Sequence, residues 1–424
     1  MKYTTKYLIV GGGITGLSFA NFIESDDFLI VEKEQKIGGY CRTTKVKDFI
    51  WDFAGHFFHF KDQRIKEYFN NITDENDIIN QKKITKILYN GSLIDFPFQQ
   101  NIHQLEKSEF IDCLYDLYNR NSGSEINSFK DMVVSKFGKS ISDKFLIPYN
   151  EKLYACDLNQ LDSNAMGRFF PQADIQKIIM SMKIKDNDSY NSCFSYPKNG
   201  AEYFVHKLSN QIEPQKILLN SEIIKINSQG KTAYTENDQI EYEYLINTSP
   251  LPSLLKYIEA DEDLIDTFTW NKVLVINIGF DKKALDNTIH WLYIPDKDVN
   301  FYRVGFYNNI LKENKLSIYI EIGFDAKDHI DVEHQIELTI KNLKKCKIID
   351  DHKVIAKQSI IMDPAYVHIS ESSNSKKDEI KKMLGHMNIY SLGRYGDWKY
   401  CSMEDSMLDS YNLCNSLNKI SKFN

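Results

Sequence analysis

The chain opens on a short apolar run, KYLIV at residues 6–10, that stops at three glycines. Such a run bounded by a turn signal predicts a strand buried on both faces. Residues 14–24 (ITGLSFANFIE) then carry helical spacing, and FLIVEK at 28–33 predicts a second buried strand. Together these form a β-α-β unit of about 30 residues. Residues 104–190 are richer in helical spacing, as in KSEFIDCLYDLYNR. Between about 270 and 325 the pattern changes to alternation in KVLVINIGF, HWLYIP, FYRVGFY and LSIYIEIGF. Several such strands in series predict an antiparallel sheet. Residues 334–348 are helical again, and ESSNSKKDEIKKM at 371–383 begins as a polar loop and becomes a solvated helix. NIYSLGRYG at 388–396 predicts a strand entering a glycine-marked turn, before a final helix. Neither an internal repeat nor a low-complexity linker interrupts the pattern.

The expected fold class is therefore α/β: a Rossmann-type sheet, an inserted helical domain and an antiparallel-sheet domain. The boundaries that follow are 1–90, 216–262 and 388–424 for the first, 91–180 for the second, and 181–215 with 263–387 for the third. A length of 424 residues suits two or three domains. The net charge of −7 gives no basic surface for tracking phosphates, so a nucleic-acid partner is not expected. An anionic ligand must instead be met by a few placed arginines. The seven cysteines are scattered singly without C-x-x-C, which predicts reduced thiols, a cytoplasmic protein and no metal site. The apolar N-terminal stretch is interrupted by glycines and predicts a strand and turn, not a signal peptide. No run of 18 apolar residues predicts a membrane span.

Candidate chemistry begins at Gly11-Gly12-Gly13-Ile14-Thr15-Gly16, which fits G-x-G-x-x-G between a strand and a helix. The glycines allow a tight turn, close backbone approach to a pyrophosphate and close helix packing, and the helix N-terminus favours negative charge. Glu32, ending the second strand, can accept hydrogen bonds from the adenosine ribose. Ile37-Gly38-Gly39-Tyr40-Cys41-Arg42-Thr43 follows, and resembles the second glycine motif of the amine oxidase-like flavoproteins. In that superfamily a C-terminal strand and helix close the flavin site; Gly393-Arg394-Tyr395-Gly396 before MEDSM fits that place. Ile246-Asn247-Thr248-Ser249-Pro250 looks like the returning strand of the flavin sheet. The resemblance implies that Gly11, Gly13, Thr15, Gly16, Glu32, Gly38, Gly39, Arg42, Gly55, His56, Arg394, Met403 and Asp405 hold FAD.

Outside the flavin sheet the chain resembles the UDP-galactopyranose mutases of eukaryotic type. Ala54-Gly55-His56-Phe57-Phe58-His59 is similar to their histidine loop against the flavin, and Phe96-Pro97-Phe98-Gln99 to their nucleotide-contacting stretch. Phe145 to Tyr154 (FLIPYNEKLY) resembles their uridine-binding segment, with Asn150 inside it. Met166-Gly167-Arg168 and Phe301-Tyr302-Arg303 resemble the motifs that each supply an arginine to the substrate diphosphate. Tyr366 and Tyr400 fall where the family places diphosphate-binding tyrosines, and Asn191 matches a sugar-contacting asparagine. The family pattern is not kept everywhere. Ala54-Gly55-His56 stands where Gly-Gly-His or Gly-Pro-His is usual, Phe96 replaces a Tyr and Tyr154 a Trp, and Ile310 stands where a Tyr is usual, with Tyr307 nearby.

What the resemblance implies is a flavin-dependent sugar-nucleotide mutase. It would interconvert pyranose and furanose rings of UDP-galactose or a close relative, and supply a furanose donor for surface polysaccharide. Catalysis would run through a covalent adduct of reduced-flavin N5, a case of nucleophilic catalysis carried by a cofactor. His56, Arg168 and Arg303 are the candidate catalytic residues. The candidate substrate contacts are Phe96, Phe98, Gln99, Phe145, Asn150, Tyr154, Arg168, Asn191, Arg303, Tyr366 and Tyr400. NAD(P)H or another reductant, and self-association, remain open. So do two rivals: a flavin oxidoreductase of the amine oxidase or protoporphyrinogen oxidase type, and a non-catalytic module of the Rab GDP-dissociation inhibitor type.

Overall fold

A computed structural model describes residues 1–120, 123, 125–171, 174–183 and 192–417. Its first sheet is built around Lys2–Val10, whose last four residues are buried on both faces. Gln239–Asn247 lies parallel on one side of it and Phe28–Val31 on the other, followed by Ile217–Leu218. Ile389–Ser391 pairs with the C-terminal end of Gln239–Asn247, and the antiparallel strands Thr232–Tyr234 and Lys225–Asn227 extend its N-terminal end. A parallel strand covered on both sides has no polar face to show, which is why KYLIV and FLIV read as continuous apolar runs.

All nine residues of the helix Ile14–Phe22 are buried. It is enclosed by Glu202–Ser209, where Asn21 Nδ2 donates to the Leu208 carbonyl at 3.1 Å, and by Met403–Ser416, where Ser410 Oγ donates to the Thr15 carbonyl at 2.8 Å. Residues 202–209 therefore pack with the first sheet, not with the substrate-side sheet expected for 181–215. Ala201, Phe204, Val205 and Leu208 are apolar at helical spacing and fill its core.

The second sheet runs Val354–Met362, Asn271–Phe280, Ser317–Asp325, Arg303–Phe306, Trp291–Tyr293, Thr85–Tyr89 and Ser92–Asp95. All pairings are antiparallel except Trp291–Tyr293 with Thr85–Tyr89. The boundary expected between residues 90 and 91 falls inside the Thr85–Tyr89/Ser92–Asp95 hairpin, which joins this sheet whole. A two-stranded hairpin is marginal alone, and an open sheet edge supplies the partner it needs. Strand alternation divides the faces. Leu274, Ile276 and Ile278 pack outward with Ile318, Ile320 and the helix Val332–Lys345. Val273, Val275 and Tyr319 point to the other face.

The helical segment contains Lys107–Tyr118, Phe129–Ile141 and Ile147–Tyr154. The expected polar loop at 371 is absent, because Ser370 and Ser373 form a capping box and the helix Glu371–His386 starts at once. All seven cysteines are free. Among the described residues no helix is long and apolar enough to cross a membrane.

Candidate functional site

The glycine turn closes the C-terminal end of Lys2–Val10. Gly11 sits at φ +106°, a left-handed conformation that favours glycine, and a Cβ there would lie 2.4 Å from Thr248 Oγ1. A Cβ on Gly16 would lie 2.1 Å from the Gly11 carbonyl oxygen, so this glycine sets helix packing. Glu32 is buried; one carboxylate oxygen accepts from the Gly12 N–H at 2.7 Å and the other from the Glu34 N–H at 2.9 Å. An ionised carboxylate has further lone pairs to offer two hydroxyls. Arg42 donates from Nε to the Ile37 carbonyl at 3.3 Å and from Nη2 to the Lys36 carbonyl, so it clamps the second glycine loop.

From this turn a cavity of 750 Å³ runs along the face of the second sheet. Register explains which side chains reach it. Tyr293, Arg303 and Glu321 stand opposite one another on adjacent strands, and Trp291, Gly305 and Tyr319 form the next row. Their neighbours Leu292, Val304 and Ile320 point away into the outer core. Gly305 leaves room for the Tyr319 ring, which a Cβ would meet at 2.0 Å. The Tyr319 hydroxyl accepts from Trp291 Nε1 and lies 2.2 Å from where a Gly55 Cβ would be, which fixes the histidine loop over the sheet. Burial pushes the His56 imidazole down to about 4, so the ring is neutral near pH 7, and its buried Nδ1 has no hydrogen-bond partner.

The cation-lined part of the cavity is organised by tyrosines. Arg303 Nη2 donates to the Tyr366 hydroxyl at 3.0 Å and lies 3.6 Å from Glu321, while its buried Nε has no partner. Glu321 also accepts from the Tyr302 hydroxyl at 2.5 Å. Tyr366 stacks on Tyr400 with ring centroids 5.8 Å apart, and the Arg394 guanidinium lies 4.8 Å from the Tyr400 ring and 5.3 Å from that of Tyr366. Arg168 lies 2.6 Å from Asp405. Phe145 stacks on Tyr149 at 5.1 Å, Tyr149 meets Tyr293 at 5.1 Å, and Tyr293 meets Phe96 edge-on at 5.3 Å. Asn150 donates to the Leu146 carbonyl at 2.6 Å, leaving its buried Oδ1 without a partner.

Most residues predicted from sequence line this one cavity. Gly11, Gly13, Thr15, Glu32, Gly38, Gly39, Arg42, Gly55, His56, Arg394 and Met403 do so, as do Phe96, Gln99, Phe145, Asn150, Arg168, Arg303, Tyr366 and Tyr400. Four do not. Gly16 packs against the turn, as described. Phe98 is fully buried and stacks behind Phe145 at 5.2 Å, because the turn at Phe98–Gln100 directs it inward. Tyr154 is buried behind Tyr366, with ring centroids 5.8 Å apart. Asp405 caps the last helix by accepting from the Ser402 N–H at 2.8 Å and pairs with Arg168. Asn191 lies outside the described residues. Sequence reasoning missed Lys83, Tyr149, Trp291, Tyr293 and Glu321, which also line the cavity. Strand alternation around Arg303 could have identified Tyr293 and Glu321; Lys83 carries no local signal.

A family model described as an NAD(P)-binding Rossmann-like domain matches residues 9–72. The fold is similar over its length to a crystal structure of reduced UDP-galactopyranose mutase, with TM-score 0.91, 22% identity, and coverage of 98% of this chain and 94% of that one. A corticosteroid-binding protein of Candida albicans is 26% identical over 277 residues, 58% of this chain and 52% of that protein, so the match spans about half of its length. Coproporphyrinogen III oxidase of Staphylococcus aureus is 21% identical over 327 residues, 67% of this chain and 69% of that protein. The α/β architecture with a Rossmann-type sheet is thus the fold of the mutase structure.

Proposed function

We propose that this protein is an FAD-dependent sugar-nucleotide mutase that interconverts the pyranose and furanose forms of UDP-galactose or a close relative. The observation that carries the reading is one cavity whose lining residues own three buried polar atoms without partners: His56 Nδ1, Asn150 Oδ1 and Arg303 Nε. Each such atom costs about 1–3 kcal/mol if left unsatisfied. A flavin, a nucleobase and a diphosphate present the groups these atoms lack. The turn at Gly11 and the Glu32 carboxylate fit the adenosine and pyrophosphate of FAD. When bound and reduced, a flavin supplies a nucleophilic nitrogen for attack on the anomeric carbon.

The chain's own residues supply the rest. The neutral His56 can exchange a hydrogen bond without adding charge beside the cofactor. Phe145 and Tyr149 offer faces to a base, for which stacking contributes about 1–3 kcal/mol. Arg303 and Tyr366 hold the diphosphate as it leaves and returns, and Arg168 adds a second guanidinium once it turns from Asp405. An oxidase acting on an apolar substrate has no use for such a cluster of cations.

The test is anaerobic incubation of dithionite-reduced protein with UDP-galactose, separating the two ring forms chromatographically. The reading expects interconversion only with reduced flavin and no net consumption of reductant. Turnover coupled to hydrogen peroxide would replace it with the oxidase, and a colourless protein that takes up no FAD would remove both.

A further inference from the structure

The cavity holds an amine that the proposed diphosphate site leaves unused. Lys83 lies between the strands Ile78–Lys82 and Thr85–Tyr89, and its backbone is pinned on both sides. Its N–H donates to the Ser192 carbonyl at 2.7 Å, and the next N–H, of Ile84, donates to His290 Nδ1 at 3.0 Å. The side chain lines the cavity with Nζ 4.8 Å from the centre of the Trp291 ring. Among the described residues, no carboxylate lies within ion-pair distance of it. The two substrate-side arginines differ in this respect: Arg303 has Glu321 at 3.6 Å and Arg168 has Asp405 at 2.6 Å. Arg394 directs Nη1 to the Cys401 carbonyl at 3.0 Å. A half-buried amine beside a guanidinium and without an anion is an arrangement that an incoming anion completes.

We propose that Lys83 is a third cation of the substrate subsite, one that takes a proton from solvent as the diphosphate enters and meets that anion beside Arg303. The proposal rests on the sugar-nucleotide reading and specifies its electrostatics. In the free protein, burial first and the neighbouring Arg303 second push the Lys83 amine down to about 7. A diphosphate of about two negative charges opposes both effects and raises the value. The proton that appears on Nζ comes from water or buffer, and no other atom changes its bonding. The remaining groups around Lys83 do not titrate in the same window. His59 and His290 are held down at about 4 by burial first and Lys83 second, and burial lifts Tyr293 to about 12. Arg303 stays charged throughout.

Linkage fixes the sign. Below about pH 7 Lys83 is already protonated, so binding takes up no proton; above it, binding takes up close to one and weakens by up to about tenfold per pH unit. The experiment is titration calorimetry of the flavin-loaded protein with UDP-galactose from pH 6 to 9, in paired buffers of different ionisation enthalpy. The phosphates of this ligand do not titrate in that range, and the proton uptake is read below pH 8, where its uracil imide is still protonated. Lys83→Arg should keep the affinity measured at pH 6 within a few-fold and abolish both the proton uptake and the pH dependence. Lys83→Gln should abolish them too and bind at least about tenfold more weakly at pH 6. Flavin content and melting temperature establish that each variant folds. Binding by the wild type without proton uptake, or pH dependence surviving in Lys83→Gln, overturns the role of Lys83 alone. Failure of UDP-galactose to bind at any pH overturns it together with the sugar-nucleotide reading.

Discussion

Arg303 and Arg168 differ in what each must give up to receive an anion. Arg303 is fixed by Tyr366 and Glu321 on a rigid strand, with its Nε unpaired. Arg168 is a third exposed, on a short turn, and already paired with Asp405. An arginine that is held in place and unsatisfied gains more from a ligand than one that must first break an ion pair. Arg303→Ala is therefore expected to weaken UDP binding at least about tenfold, from the roughly 1.5–3 kcal/mol of a charge-assisted hydrogen bond. Arg168→Ala is expected to weaken it less, with flavin content unchanged in both. Equal effects in a binding titration would contradict the ranking. Arg303→Lys should recover only part of the loss, because the planar fork is gone. Legibility in the sequence differs among these residues for physical reasons. Arg303 and Arg168 sit in short motifs, whereas Glu321 is recognisable only through its register with Arg303, and Lys83 only through what surrounds it. Phe96 and Phe98 are alike in sequence, and the local turn alone decides which one enters the core.

At the scale of elements, the first sheet was legible because its signal is local: strand, glycine turn, helix and strand lie within the first 31 residues. The assignment of 202–209 was not, because an amphipathic helix does not say which core it joins. That helix is tied to the Thr43–Val46/Phe49–Asp52 hairpin by Asp52, a buried carboxylate. It accepts from Thr43 Oγ1 at 2.6 Å, the Ala201 N–H at 3.0 Å and the Tyr196 hydroxyl at 2.8 Å. Burial outweighs these donors and raises its carboxyl to about 6. An acid raised above its unfolded value of 3.8 contributes stability below that value and loses it as pH climbs through 6. Asp52→Asn is thus expected to gain stability relative to the wild type between pH 4 and 7, by roughly 2–3 kcal/mol in all. Asp52→Ala should instead lose stability at every pH, since it strands the donors. Denaturant titrations at several pH values would check both, and a constant difference between Asn variant and wild type would refute the account. At the last helix, Asp405→Ala removes a capping contact worth about 1 kcal/mol. It should lower the melting temperature by about one degree and free Arg168 for an anion.

Over the whole molecule three desolvated histidines outweigh Asp52. His56, His59 and His290 are each lowered to about 4, mainly by burial, so their contribution is present above about pH 6.5 and lost as pH falls through 4. In that interval unfolding takes up about three protons on the histidines and releases one from Asp52. From these four groups the net is about two, a contribution that lowers stability by roughly 2–3 kcal/mol per pH unit. Melting temperatures between pH 6.5 and 4.5 should drop steeply, and His290→Gln should make the drop shallower; a flat profile would contradict the burial. The chain that builds this interior passes back and forth between the two large sheets. The first takes strands from 2–31, 217–247 and 389–391, and the second from 85–95 and 271–362. No single cut separates the two sheets into different pieces, because strands of the first lie before, between and after those of the second. Separated at residue 262, the N-terminal fragment would lack Ile389–Ser391 and the final helix over Ile14–Phe22, and would keep the 85–95 hairpin without Trp291–Tyr293 beside it. Fragments 1–262 and 263–424 should aggregate when made apart and elute together as one particle when co-expressed. Inheritance is constrained in the same way: neither half can be handed from gene to gene as a contiguous cassette, so the nucleotide-binding part and the chamber it faces must diverge together.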